Sequence, residues 1–257
     1  MSVLEQIIAG VREDLDARRI SRSQLLEQVA QAPSPLVPSN FLKGENICVI
    51  AEVKRSSPSK GALATISDPA ALAKIYEMNG ASVVSVLTEG RRFGGSLADL
   101  DAVRKSVTIP ILRKDFMVDE YQFLEARAHG SDLVLLIVAA LSKAQINEFL
   151  ALTAELGMQA LVEVHTEEEL ALALEASAHI IGVNSRNLKT LDVDSQVFAE
   201  LLPKIPANIV KVAESGISSR ADVEFAHANG ADAVLIGEAL VRGSDPGATL
   251  RALMGQG

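Results

Sequence analysis

The stretch Ala51-Glu-Val-Lys-Arg-Ser-Ser-Pro-Ser-Lys-Gly61 decides the fold, because an apolar run, Cys48-Val-Ile-Ala51, passes through it into a polar loop and that pattern recurs along the chain. Residues two apart in a strand share a face, so Glu52 and Lys54 point the same way. A buried strand offers such charges no water, and each must meet a partner or a ligand. The plain alternative is an ion pair closing a strand end.

Working outward from there, eight apolar runs alternate with helical patterns: 48–54, 83–88, 110–113, 133–138, 160–164, 180–184, 209–213 and 233–236. Helix starts are marked by Asp68-Pro69, by Thr166-x-x-Glu169, which reads as a capping box, and by Ser219-x-x-Asp222. Gly80, Gly130, Gly157 and Gly230 punctuate helix ends. Near-continuous apolar strands, each followed by a helix, need a parallel sheet with both faces covered, and eight such units predict an α/β fold, a closed (β/α)8 TIM barrel. The rival, an open doubly wound sheet, usually carries a Gly-rich turn after its first strand, and Lys54-Arg-Ser-Ser-Pro-Ser has no glycine.

Residues 1–47 read as an N-terminal helical extension and 48–257 as the barrel, together one domain. Val3, Leu4, Ile7, Ile8, Val11 and Leu15 fall on one face of a helix, and Ser23 to Ala30 suits a second, stopped by Gln31-Ala-Pro-Ser-Pro-Leu-Val-Pro38. That apolar face serves either as core packing, the simpler reading, or as a lid.

The chain has 257 residues, 48% of them hydrophobic and 22% charged, enough for a large core. A net charge of −9, 4% aromatic residues and no Trp argue against a nucleic-acid partner. One cysteine, Cys48, excludes an internal disulfide and suits a reducing compartment. With no long uncharged apolar run and no basic-then-apolar start, the expectation is a cytoplasmic chain without a membrane partner. Cations do gather after the strands, at Lys54, Arg55, Lys60, Arg91, Arg92, Arg113, Lys114, Arg186 and Lys189, which predicts a locally positive mouth for a small anion.

Barrel sites lie where the strands end. Glu52, Lys54 and Ser57 follow the first strand, Lys114 the third, Glu163 and His165 the fifth, Asn184 and Arg186 the sixth, Glu214, Ser215 and Gly216 the seventh, Gly237 and Glu238 the eighth. The last two strands end in glycine turns, which either hold a phosphate on backbone N–H groups or are simple tight turns. His129, His165, His179 and His227 are scattered, so no metal site is expected. His165 is read as a local hydrogen-bonding group. The remaining groups suit acid–base work on a carbonyl compound. A class I aldolase using Lys54 or Lys114, and a silent phosphosugar-binding barrel, are the rival functions.

Glu52-Val-Lys-Arg-Ser-Ser-Pro-Ser59, Leu112-Arg-Lys-Asp-Phe116, Leu161-Val-Glu-Val-His-Thr166, Gly182-Val-Asn-Ser-Arg-Asn-Leu188 and Ala213-Glu-Ser-Gly216 together resemble the indole-3-glycerol-phosphate synthase family, in order and over nearly the whole chain. The resemblance implies a phosphosugar-anthranilate substrate and no cofactor; a monomer or weak homo-oligomer is expected. It implies Lys114 as general acid, Glu163 and Lys54 in later proton transfers, and Glu52 and Asn184 as orienting groups. Lys54 would pair with the substrate carboxylate. Glu214, Ser215, Gly216, Gly237 and the N–H of Glu238, with Ser57 and Arg186 nearby, would form the binding end. Phe93, Phe116, Leu135 and Leu188 would wall the aromatic ring, although core packing serves Leu135 and Leu188 equally well. The Glu238 carboxylate must turn away from any phosphate.

Overall fold

The computed structural model describes residues 2–187 and 190–256. Each apolar run forms a strand: β1 (Cys48–Val53), β2 (Val83–Leu87), β3 (Ile111–Lys114), β4 (Leu133–Ile137), β5 (Gln159–Val164), β6 (Ile180–Asn184), β7 (Val210–Glu214) and β8 (Ala233–Ile236). All neighbours pair in parallel, and β8 returns to β1 to close the barrel. Outside lie helices α3 (Pro69–Met78), α4 (Leu97–Ser106), α5 (Glu120–Ala128), α6 (Lys143–Glu155), α7 (Glu167–Glu175), α8 (Gln196–Leu201), α9 (Arg220–Ala228), α10 (Glu238–Arg242) and α11 (Pro246–Leu253), after the extension helices α1 (Val3–Arg18) and α2 (Arg22–Gln31). No described helix is long and apolar enough to cross a membrane.

The start signals behave as their chemistry demands. Asp68 accepts from the N–H of Ala71 and Ser219 forms a reciprocal box with Asp222, while Gly80, Gly130, Gly157 and Gly230 take positive φ angles. The Thr166 box is only half formed. Thr166 accepts from the N–H of Glu169, but the Glu169 carboxylate goes to the N–H of His165 instead. A feature absent from the sequence reading is the short antiparallel pairing of Ser56–Ser57 with Gly61–Ala62, which folds the loop after β1 into a hairpin.

Side-chain alternation builds two apolar clusters. Val49, Ala51 and Val53 face the helices, whereas Ile50, Val83, Leu112, Leu133, Leu161, Ile180 and Val210 fill the barrel. Both ends of the extension join the inner cluster, through Leu4, Ile7 and Val11 of α1 and through Leu42. Before Leu42, the N–H groups of Leu36 and Ser39 bond to Asp132 and Gln159, at the start of β4 and β5, so this segment runs beneath the barrel floor. Helix α2 packs on α5.

Arg113, alternating with the inward Leu112 and Lys114, is fully buried between sheet and helices. Its guanidinium donates to Thr88 Oγ1, the Gln122 carbonyl, Asp115 Oδ2 at 3.0 Å and Glu125 Oε2 at 2.9 Å. Arg18, the last residue of α1, grips the same Glu125 through two bonds of 2.8 and 3.0 Å. The extension is thereby fastened to the residues that flank Lys114.

Candidate active site

Going up each strand, the inward positions change from apolar to charged: Ile50 to Glu52, Leu112 to Lys114, Leu161 to Glu163, Val212 to Glu214. The period-two rule thus delivers three carboxylates and an ammonium to one layer at the C-terminal ends of the strands. Lys114 Nζ lies 3.7 Å from Glu163 Oε2 and 3.4 Å from Glu214 Oε2. Lys54 Nζ lies 3.3 Å from Glu52 Oε2 and sits over the Phe93 ring. Ser85, paired in register with Glu52, donates to Glu52 Oε1 at 3.4 Å.

This layer needs room. A Cβ on Gly237 would come within 2.6 Å of Glu52 Oε2, and one on Gly182 would strike the Glu214 carboxylate. The two glycines are the space in which those side chains lie.

With three carboxylates and two ammonium groups, the cluster carries one excess negative charge if all ionise. Burial pushes the Glu52 carboxyl up, but Lys54, Lys114 and Ser85 outweigh it and hold Glu52 below the usual carboxylate range. For Glu214 burial dominates, Glu163 and Glu52 add to it, and Lys114 opposes, so its carboxyl is pushed up to about 8. Burial would lower the Lys114 ammonium, yet Glu214, Glu163 and Glu52 raise it. The cluster thus favours a charged Lys114 able to donate a proton and pushes the Glu214 carboxyl toward its neutral form.

Above the layer lies a cavity in two continuous lobes. The narrow one, about 100 Å³, has apolar walls from Phe93, Phe116, Leu135 and Ile137, with Leu4 and Ile7 of α1 across it. The broad one, about 730 Å³, is bordered by Arg186, Ser215, Gly216, Gly237, Glu238 and Lys60. Glu52, Lys54 and Lys114 border both. Ser215 and Gly216 take consecutive left-handed conformations, φ 67° and 70°, where a side chain at 216 would also meet Val193. Asn184 Oδ1 accepts the N–H of Arg186, and Arg186 Nη1 donates to the Leu191 carbonyl.

The structure gathers Glu52, Lys54, Ser57, Phe93, Lys114, Phe116, Leu135, Glu163, Asn184, Arg186, Ser215 and Glu238 around the narrow lobe. Leu188 lies outside the described residues, as does Lys189. Glu214 borders the broad lobe from within the barrel, 1% exposed and against Lys114. Glu238 borders both lobes, but its carboxylate is held by Arg242 at 3.1 Å and faces Lys60 at 3.7 Å. The positive mouth is smaller than its cation count promised, because Arg55 pairs with Asp99, Arg91 with Glu13 and Asp14, and Arg113 with Asp115 and Glu125. Structural carboxylates absorb these guanidinium groups; Lys54, Lys60, Lys114 and Arg186 remain on the cavity wall.

Sequence reasoning set packing and lid as alternatives for α1, whose apolar face both packs and lines the narrow lobe, so the two readings are not exclusive. It missed Ser85, a lone hydroxyl in Val83-Val-Ser-Val-Leu87 that was the available clue. Among the described residues, no group of three or more His, Cys, Asp or Glu could hold a metal ion.

Residues 4–253 match the family described as Indole-3-glycerol phosphate synthase. Curated relatives carry that name: one from Micrococcus luteus is 59% identical over 259 residues, covering 98% of this chain and 97% of the relative. Another, from Kineococcus radiotolerans, is 56% identical and covers 100% and 96%. Among solved structures, a 3-hexulose-6-phosphate synthase superposes with a TM-score of 0.66 at 16% identity, over 82% of this chain and 99% of that one, a likeness of fold.

Proposed function

The chain belongs to the indole-3-glycerol phosphate synthase family, and on that premise we propose how its residues divide the work. The activity is that of a lyase in tryptophan biosynthesis, closing 1-(2-carboxyphenylamino)-1-deoxyribulose 5-phosphate to indole-3-glycerol phosphate with release of CO₂ and water. The aromatic ring occupies the narrow lobe, between Phe93, Phe116 and Leu135, with α1 excluding water above it. Its carboxylate pairs with Lys54. The phosphate sits in the broad lobe against the turns at Ser215-Gly216 and Gly237-Glu238, within reach of Arg186 and Lys60. Glu238, drawn to Arg242 and Lys60, leaves its backbone N–H to the anion. This folds the substrate so that its ketone lies over Lys114.

When the ring carbon attacks the ketone, negative charge develops on oxygen. Lys114 donates to it, a transfer favoured because an alkoxide is the stronger base. Glu163 and Glu214 fix the ammonium in place. Loss of CO₂ restores aromaticity. Dehydration follows, with Glu163 and Lys54 moving protons while Glu52 and Asn184 orient the reacting segment.

The observation that carries this reading is the position of Lys114 Nζ, between two buried carboxylates at the junction of an apolar and a polar lobe. Its raised pKa also works against the neutral amine that a Schiff base needs. Adding the carboxyphenylamino-deoxyribulose phosphate should raise indole fluorescence, and borohydride should trap no lysine adduct. A folded preparation that binds the substrate without forming indole would refute the activity. One domain, 1–47 with 48–257, is proposed as the functional unit, since α1 walls the cavity that the barrel opens. The lone thiol suits the cytoplasm, and the net charge of −9 favours a monomer or weak homo-oligomer.

A further inference from the structure

Turnover consumes a proton. The ketone oxygen leaves as water carrying two, the adjacent methylene gives up one, and the carboxyl, already ionised at neutral pH, departs as CO₂ and gives none. One proton per cycle must therefore enter from outside, a balance that rests on the reaction assigned above. Yet Glu52 and Glu163 are 2% exposed and Glu214 1%, and a bound substrate fills the cavity above them.

The two oxygens of Glu163 face different ways. Oε2 looks toward Lys114 at 3.7 Å, and Oε1 lies 3.4 Å from Nε2 of His165, two residues on, where β5 has just ended. Across the imidazole, Nδ1 is 3.1 Å from Glu169 Oε2, the oxygen that also accepts the His165 N–H at 2.7 Å. Glu169 is diverted from its reciprocal cap to make this contact, and its side chain is 20% exposed, so it meets solvent. His165 Nε2 is buried with no aligned hydrogen-bond partner and faces Glu163 Oε1.

We infer that His165, held between Glu163 and Glu169, is the relay that returns one proton per turnover from solvent to Lys114. Glu169 takes a proton from water and passes it to Nδ1, Nε2 releases its own to Glu163 Oε1, and the neutral Glu163 carboxyl turns about its Cγ–Cδ bond to hand that proton to Lys114. Only N–H and O–H bonds are exchanged, and between cycles the ring swings out to water, where Nδ1 gives up a proton and Nε2 regains one, restoring the first tautomer. Burial opposes a charged imidazole, but the carboxyls of Glu169, Glu163 and, from β7, Glu214 overcome it and raise the pKa, so the protonated ring is accessible near neutrality. His165 does not touch substrate; it acts through Glu163.

The test compares kcat and KM of the parent with His165→Asn, His165→Ala and the more peripheral Glu169→Gln, from about pH 6 to about 9, with and without added imidazole. The relay predicts KM within about 2-fold and kcat lowered by about 10²-fold at His165, a loss that grows as pH rises and is partly recovered by imidazole. Glu169→Gln should lose less, with the same pH trend. Full turnover in His165→Asn would overturn the relay. So would a loss equal at every pH and indifferent to imidazole, which is what a purely structural role gives. If the parent itself forms no indole, the assigned reaction fails first, and that outcome is distinct from either.

Discussion

Lys114→Met is expected to lower kcat by about three orders of magnitude or more, with affinity for inorganic phosphate changed by less than about 3-fold. Methionine keeps much of the length and apolar bulk but can neither donate a proton nor carry the charge that faces the developing alkoxide. It also leaves Glu163 and Glu214 sharing the barrel without their ammonium. The phosphate turns belong to β7 and β8 and do not move with it. Single-turnover fluorescence and phosphate titration separate the two effects, and turnover within tenfold of the parent would reject the acid role.

Arg113→Met should cost about 3–5 kcal/mol of stability, because it strips the shared partner from two carboxylates that stay buried. For a chain of this size that corresponds to a fall in melting temperature of roughly 10 °C. Arg18 still holds Glu125 after the change, so the uncompensated charge is chiefly Asp115. Adding Asp115→Asn should therefore recover part of the loss in thermal denaturation. An unchanged melting temperature would show that the network does not bind β3 to α5 and α1.

How far the sequence reaches is clearest on β3. Alternation from Leu112 puts Lys114 inside, and the structure agrees. The same rule sends Arg113 to the outer layer, but it says nothing of Glu125 twelve residues on, or of Arg18 from α1, which meet Arg113 only once the helices pack. That is why a count of cations overstated the positive mouth. Strands, caps and turn glycines were legible because each is decided by neighbours in the chain: Asp68 and the N–H of Ala71 are three residues apart. Partners far apart in sequence were not. The roof formed by Leu4 and Ile7, the Ser85 bond to Glu52, and the space Gly182 leaves for Glu214 all depend on closure of the barrel. His165 looked like a local cap group and is one, through Glu169; its second nitrogen faces Glu163, two residues before it, where β5 has just ended.

The most direct test of convergence is a crystal structure with the substrate analogue in which the ketone is reduced to an alcohol. The expected complex has the aromatic ring beside Phe93 and Phe116, the carboxylate on Lys54, the phosphate at Ser215-Gly216 and Gly237-Glu238, and the alcohol oxygen within about 3 Å of Lys114 Nζ. An analogue bound with its ring in the broad lobe, or with that oxygen turned away from Lys114, would contradict it.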